Sequence, residues 1–169
     1  LIESFNKISG KFNDLKLVLI GKGDTAEEEE AIKKLITTLN LNDKVVLTGQ
    51  LPRADIPQYL INAKVLALAR PRSKVADAGF PSKLTEYLST GNPVVVTKVG
   101  EIPFYLKDNE TAFLAEPGDI GSFGEKLEYV LENYDKAKNV ASRGKELTAT
   151  VFSYKYQAMR MLGYIKSLG

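Results

Sequence analysis

Residues 78–96 combine a turn, an acid and a buried apolar run at spacings that suit a nucleotide. Gly79, Phe80 and Pro81 form the turn. Ser82 follows where a helix N-cap is favoured, and Gly91 stands where a helix would end. Pro93 then opens the run Val94, Val95, Val96, which reads as a strand. A helix that starts just after a turn offers free backbone N–H groups and a positive dipole end, which suit a phosphate. The N–H groups of Ser82, Lys83 and Leu84 are the donors in this reading, and the Lys83 ammonium adds charge beside them. Glu86 lies one turn further in. An ionised carboxylate accepts from two donors, so Glu86 suits the paired hydroxyls of a ribose.

The elements that must position these residues alternate between strand and helix. Strands are expected at residues 15–20, 44–48, 64–68, 93–97 and 111–115. Between them, Thr25 and Glu28 form a capping box ahead of Ile32, Leu35, Ile36 and Leu39 at helical spacing. The acids at 27–30 read as charge favouring that helix N-terminus. Asp119 caps a helix carrying Phe123, Leu127, Val130 and Leu131. Two more helices are expected, at 134–148 and 153–168, with the Tyr and Met residues of the last one in core or interdomain packing. Apolar strands joined by helices predict an α/β domain with one doubly wound parallel sheet, buried on both faces. Ligands of such sheets bind outside the carboxyl ends of the strands. That rule gathers residues 21–23, 49–52, 70–81 and 100–101 around one crevice. Gly21 and Gly23 let backbone approach a ligand there. Arg70, Arg72 and Lys74 make a basic loop suited to a diphosphate or another anionic group.

Composition removes several classes of chemistry. The chain has no cysteine and no histidine, so it supplies no disulfide, thiolate or imidazole ligand, and no histidine base. Its net charge of +2 argues against a nucleic-acid binder driven by bulk phosphate attraction. No apolar run approaches the ~18 residues of a membrane span. The acids Asp14, Asp24, Asp43 and Asp77 are isolated, so no Asp-x-Asp metal motif is present.

The segment Gly79-Phe80, Glu86, Gly91, Pro93-Val94-Val95 resembles the donor-binding signature of retaining glycosyltransferases of family 4, which have the GT-B fold. The family pattern is Glu-Gly-Phe-Gly, then a helix bearing a second Glu, then Gly-x-Pro-Val-Val. Its first acid falls on Ala78 here. The variant Phe-Pro-Ser-Lys-Leu-x-Glu-Tyr-Leu is similar to that of bacterial polysaccharide and capsule transferases. Other pieces match in order. Residues 17–24 are similar to the family's first strand and glycine loop in that half, and 44–52 to its second strand and the loop near the base. Residues 98–103 are similar to the loop after the signature, and 109–119 to Asn-Glu-Thr-Gly-Phe-Leu-Val-x-Pro-Gly-Asp, with Ala112 in place of Gly.

The resemblance implies the Rossmann-like C-terminal half of a GT-B enzyme. Residues 1–169 would form one nucleotide-sugar-binding domain, without the N-terminal acceptor domain and inactive alone. The helix at 153–168 would pack on that missing domain. The implied donor-binding set is Glu86, Lys83, Ser82, Leu84, Gly79, Phe80, Gly21, Gly23, Gln50, Leu51 and Arg70, with backbone of Gln50 and Leu51 meeting the base. Neither metal nor cofactor is expected. The partners would be a nucleotide-sugar and a saccharide or lipid-linked acceptor, in glycan synthesis that draws its donor from the cytoplasm. Membrane docking through the missing half stays open. The alternatives are a non-catalytic nucleotide-sugar-binding or regulatory module and a GT-B sugar epimerase. A phosphorylase would add a pyridoxal-type lysine signature, which is not present. A dinucleotide dehydrogenase would need, beyond a glycine loop, an acid for the ribose hydroxyls after its second strand, where this chain has Thr48, Gly49 and Gln50.

Overall fold

The computed structural model describes residues 1–168. The chain opens with α1 (Ile2–Ser9), β1 (Leu17–Ile20), α2 (Ala26–Thr38), β2 (Val45–Gly49), α3 (Ile56–Asn62) and β3 (Leu66–Leu68). It continues through α4 (Lys74–Asp77), α5 (Ser82–Thr90), β4 (Val94–Thr97), α6 (Ile102–Tyr105) and β5 (Phe113–Ala115). Three helices close it: α7 (Ile120–Glu132), α8 (Tyr134–Ala149) and α9 (Tyr154–Ser167). The α/β class and the parallel pairing are as the pattern predicts. The short helices α4 and α6 are not visible as periodicity, because four residues span barely one turn.

All named strand pairs are parallel. β1 pairs with β2 in the register Leu17–Val45 and Val18–Val46. β3, β4 and β5 form a second ladder, with Leu66 opposite Val94 and Val95 opposite Phe113. The expectation of one continuous sheet is corrected here: among the described residues the five strands form two ladders, β1-β2 and β3-β4-β5. β1 and β3 are not bonded to each other, and a groove separates them.

β4 is buried on both faces, as its run of valines requires. Alternation divides its side chains. Val94 and Val96 pack with Leu84 and Leu88 of α5 and with Val99, Ile102 and Leu106. Val95 points the other way, to Phe113, Phe123, Leu127 and Val130, with Ile8 of α1 in the same cluster. A third cluster joins Ile2 and Phe5 of α1 to Ile36, Leu41 and Val45. Two of the N-caps read from sequence, Thr25 and Asp119, form as expected. Thr25 Oγ1 accepts from Glu28 N–H at 3.2 Å, and Glu28 returns a carboxylate to Asp24 N–H at 3.0 Å. Asp119 Oδ1 accepts from Ser122 N–H at 2.9 Å.

α9 departs from the expectation of a packed helix. It has no buried residue, and Met159 and Met161 are 65% and 66% exposed. Its tyrosines and methionines are therefore not part of this domain's core.

α8 lies against α5 and the turn before β5 at a point where only glycine fits. A Cβ on Gly144 would stand 2.2 Å from the Thr111 carbonyl oxygen and 3.0 Å from Leu88 Cδ2. Gly144→Ala gains about 1 kcal/mol of helix propensity. It loses more, because overpacking costs ~1–3 kcal/mol and backbone cannot step aside as a side chain can. A net destabilisation of about 1–2 kcal/mol is expected, read as a lower urea midpoint at unchanged slope. An unchanged or higher midpoint would show that the helix shifts freely there.

Candidate functional site

The turn and helix at 79–90 are set by what lies beneath them. β4 ends at Thr97, which is 3% exposed. Its hydroxyl donates to the Arg70 carbonyl at 2.8 Å, and the Arg70 N–H donates back to the same oxygen at 2.9 Å. The basic loop after β3 is thus fastened at its first residue. Gly100, with φ +56°, fixes the next part. A Cβ there would meet the Ala76 carbonyl oxygen at 2.4 Å and that of Gly79 at 2.7 Å. The loop after β4 therefore lies directly against the backbone that leads into the turn.

Phe80 anchors that turn by its ring. It stacks edge-on to Tyr105 with centroids 5.5 Å apart and lies 5.0 Å from Phe152. Aromatic pairs in this range contribute about 0.5–1.5 kcal/mol beyond their area. Phe80 thus packs within the protein, while Gly79 beside it is half-buried.

α5 begins at Ser82. The expectation that Ser82 caps the helix is corrected. Pro81 occupies the cap position with φ −74° and ψ 120°, and no side chain caps the end. Proline pre-sets that φ, which leaves Ser82 as the first helical residue. Leu84 N–H bonds the Pro81 carbonyl at 3.0 Å, so it is not a free donor. The N–H groups of Ser82 and Lys83 have no hydrogen-bond partner among the described residues. Helical spacing sorts the side chains. Leu84 and Leu88 are buried, while Ser82, Lys83 and Glu86 are exposed. At the far end Gly91 is left-handed with φ +73°, and its carbonyl accepts from Lys138 Nζ at 2.6 Å. Asn92 is buried and satisfied: its amide donates to Leu60 and Ile61 carbonyls at 3.0 and 2.8 Å. The C-terminal end of α5 is therefore tied to α3 and α8.

The second group of sequence candidates forms its own small groove. Gly21, Gly23 and Gln50 line it, together with Lys22, Thr25 and Glu29. Gly21 has φ +130° and Gly49 φ +65°, and Gly21 N–H bonds the Gly49 carbonyl at 3.0 Å. The two loops at the ends of β1 and β2 are thereby joined. Leu51 is half-buried beside them. Lys22 was not singled out from the sequence, because a lysine between two glycines looks like any solvated side chain. Among the described residues no hydrogen bond or ion pair links this groove to the α5 group.

Electrostatics around the helix are positive but lightly held. Arg72 Nε lies 3.6 Å from Asp77 Oδ1 with both side chains largely exposed, a pair that contributes little stability. Lys74 and Lys83 are exposed, and Arg70 is half-buried. Tyr87, next to Glu86, has its phenol raised above its usual value, by burial first and by the Glu86 charge second. A tyrosine raised in the folded state stabilises the fold fully below about pH 10 and loses that contribution as pH climbs through the folded value. Tyr87→Phe should accordingly flatten the fall of stability above about pH 10. An equally steep fall in the variant would remove Tyr87 as a source of it.

The glycosyl transferases group 1 family model matches residues 1–147. The capsular polysaccharide biosynthesis glycosyltransferase CapM of Staphylococcus aureus is 27% identical over 153 residues, covering 90% of this chain and 38% of its own length. HepE of Anabaena, solved in complex with UDP, superposes with a TM-score of 0.80 at 23% identity, over 99% of this chain and 44% of that one. The C-terminal domain of LpcC, a glycosyl transferase group 1 protein of Francisella tularensis, does so at 0.79 and 20% identity. That match covers 90% of this chain and 77% of the LpcC domain. The fold is that of GT-B C-terminal domains. The chain spans about a third of the length of the first curated relatives it matches.

Proposed function

The chain belongs to the glycosyl transferases group 1 family, and from that premise we propose that it is the donor-binding part of a longer, retaining glycosyltransferase. One observation carries the reading. Two unpartnered N–H groups, of Ser82 and Lys83, open a helix whose exposed Glu86 lies one turn further in. The amides and the helix dipole face the diphosphate of a nucleotide-sugar, with the Lys83 ammonium beside them. Glu86 accepts from the ribose hydroxyls. Gly79 and Phe80 hold the turn, Gln50 and Leu51 meet the base through backbone, and Gly21 and Gly23 leave room for the sugar. Leu84 contributes by packing, since its own amide is engaged. The departing diphosphate is stabilised by positive charge and amide dipoles aimed at the charge it gains. Arg70, with Arg72 and Lys74, adds to that field.

The acceptor is a saccharide or a lipid-linked glycan, bound mainly by the remainder of the longer protein. Relatives such as CapM, named for capsular polysaccharide biosynthesis, support that class. No helix among the described residues is long and apolar enough to cross a membrane. The place of action proposed is the cytoplasm, where nucleotide-sugars are drawn.

UDP is the nucleotide in the HepE structure and is the first probe. Titrating it into the chain, with GDP and ADP in parallel, should move the amide resonances of Ser82, Lys83, Glu86 and Gln50. If saturating amounts of all three leave them in place, the donor site is elsewhere. In the longer enzyme, Glu86→Gln keeps shape and removes charge. Hydrogen bonds to a charged group contribute about 1.5–3 kcal/mol, which corresponds to roughly a 10- to 100-fold loss of donor kcat/KM. Unchanged kinetics would take Glu86 out of the site.

A further inference from the structure

The match to the family ends at residue 147, and the chain runs on into an elbow, residues 150–153, between α8 and α9. Local bonds give that elbow a fixed shape. Thr150, with φ −119° and ψ −92°, turns the chain out of α8. The Phe152 N–H donates to the Leu147 carbonyl at 2.9 Å, and the Ser153 N–H to the Thr150 carbonyl at 3.0 Å. Ser153 then caps α9, its hydroxyl accepting from the Tyr156 N–H. Gln157 of α9 reaches back and donates to the Val151 carbonyl at 2.6 Å. Every residue of α9 is exposed except this half-buried Gln157, whereas Val151, Phe152 and Ser153 are half-buried. The chain therefore dips into the domain at the elbow and leaves it again in α9. What it delivers there is the ring of Phe152. That ring lies 5.0 Å from Phe80 and 5.5 Å from Tyr105, and all three rings sit at the edge of the core formed by Leu84, Val99 and Ile102.

We infer that Phe152 is a positioning residue for the diphosphate end of α5, resting on the reading of Ser82 and Lys83 as the donors to that group. Phe80 precedes Ser82 by two residues, and only Pro81 stands between them. The pyrrolidine ring holds φ of Pro81 at −74°, which removes one of the few torsions that could absorb a shift of Phe80. Among the described residues no backbone hydrogen bond holds Gly79 or Phe80. The turn takes its place instead from two contacts: the backbone around Gly100 against the Gly79 carbonyl, and the Phe80 ring among its aromatic neighbours. A change at the ring is therefore passed along the main chain to the first free amides of α5.

The two rings around Phe80 are supported differently. Tyr105 belongs to α6, whose Ile102 is fully buried and which follows directly on Gly100. It shares its seating with the loop that already backs the turn. Phe152 comes from more than forty residues further along the chain and is the contact that a change at the elbow would remove. A phenylalanine that only anchored α9 to the domain would pack in the same place. The two roles differ in what the turn feels. An anchor acts on α9 and on stability. A positioning residue acts on the first turn of α5, where the Leu84 N–H bonds the Pro81 carbonyl at 3.0 Å, and on the affinity for a diphosphate. Removing the ring leaves Phe80 with Tyr105 alone and opens space beside it into which the turn can relax.

The test uses the longer enzyme. In Phe152→Leu, affinity for UDP by calorimetry should fall by at least about threefold, the scale of one aromatic contact. In the same protein without ligand, the Leu84 amide should exchange at least about threefold faster. Phe152→Tyr keeps the ring and should keep both values near wild type. Phe80→Leu should lose as much as Phe152→Leu. The double variant should lose little more than either, because both substitutions remove one contact. Phe152→Met, whose flexible chain fills part of the gap, takes the place of Phe152→Leu should the latter fail to fold. A folded variant without the ring that keeps both UDP affinity and Leu84 exchange overturns the proposal and leaves Phe152 as an anchor of α9. Losses that multiply in the double variant also overturn it. Failure of the functional reading is distinct: a wild-type enzyme that does not respond to UDP loses the donor site, while faster Leu84 exchange in Phe152→Leu still keeps Phe152 as the residue that sets the turn.

Discussion

The burial of β4 on both faces is the constraint on which the site depends. Val94, Val95 and Val96 have exposures of 2%, 0% and 0%, so this strand cannot shift or twist without opening two cores. Its carboxyl end is therefore firmly placed. Thr97 sits there and uses its single hydroxyl twice, as acceptor from the Arg70 amide and as donor to the Arg70 carbonyl. Three residues on, Gly100 lies under the backbone of residues 76–79 too closely for any side chain. The loop from Arg70 to the start of α5 thus inherits its position from β4 at two places, neither of which touches a ligand in the proposed reading. Rigid support of this kind is what a binding constellation on loops requires.

The first part of this arrangement was legible in the sequence. The run Pro93, Val94, Val95, Val96 and the glycine before it announce a helix end and a buried strand, and both form. Thr25 with Glu28, and Asp119, announce helix starts by side-chain chemistry that acts within a few residues. What was not legible depends on distant partners. Ser82 has the composition of a cap, but Pro81 before it fixes the backbone and takes that place. Phe80 reads as part of a binding signature, and only the fold shows its ring between Tyr105 and Phe152. The apolar stripe of α9 looks like a core face, yet among the described residues none buries it. Period and composition report that a face is apolar; they do not report what it meets. The division of the sheet was hidden for the same reason, since strand pattern gives burial and not neighbours.

α5 shows how one short helix answers two demands. Its residues at 84 and 88 are both apolar and buried, and they face Val94 and Val96 through a shared core. Those at 82, 83 and 86 fall on the opposite side by the same period, and all are polar and exposed. The packing that fixes the helix therefore also aims Glu86 outward, without any bond to the carboxylate itself. Its carboxylate oxygens carry no hydrogen bond or ion pair among the described residues and remain available as acceptors. Tyr87 completes the division. Its phenol is partly buried next to that charge, which disfavours ionisation of the phenol for both reasons at once. Glu86 is consequently the one anionic side chain that α5 presents, two residues beyond the buried Leu84 and close to the positive end of the helix. An approaching diphosphate is favoured by the dipole at the start of the helix, one turn before that acid. The two do not compete, because the carboxylate accepts hydroxyl donors while the free amides of Ser82 and Lys83 donate to anionic oxygens. Ribose and diphosphate are covalently joined in any nucleoside diphosphate, so a single helix end can hold both groups only if its acceptor and donors are separated along the axis. In α5 about one turn separates them, which is ~5.4 Å.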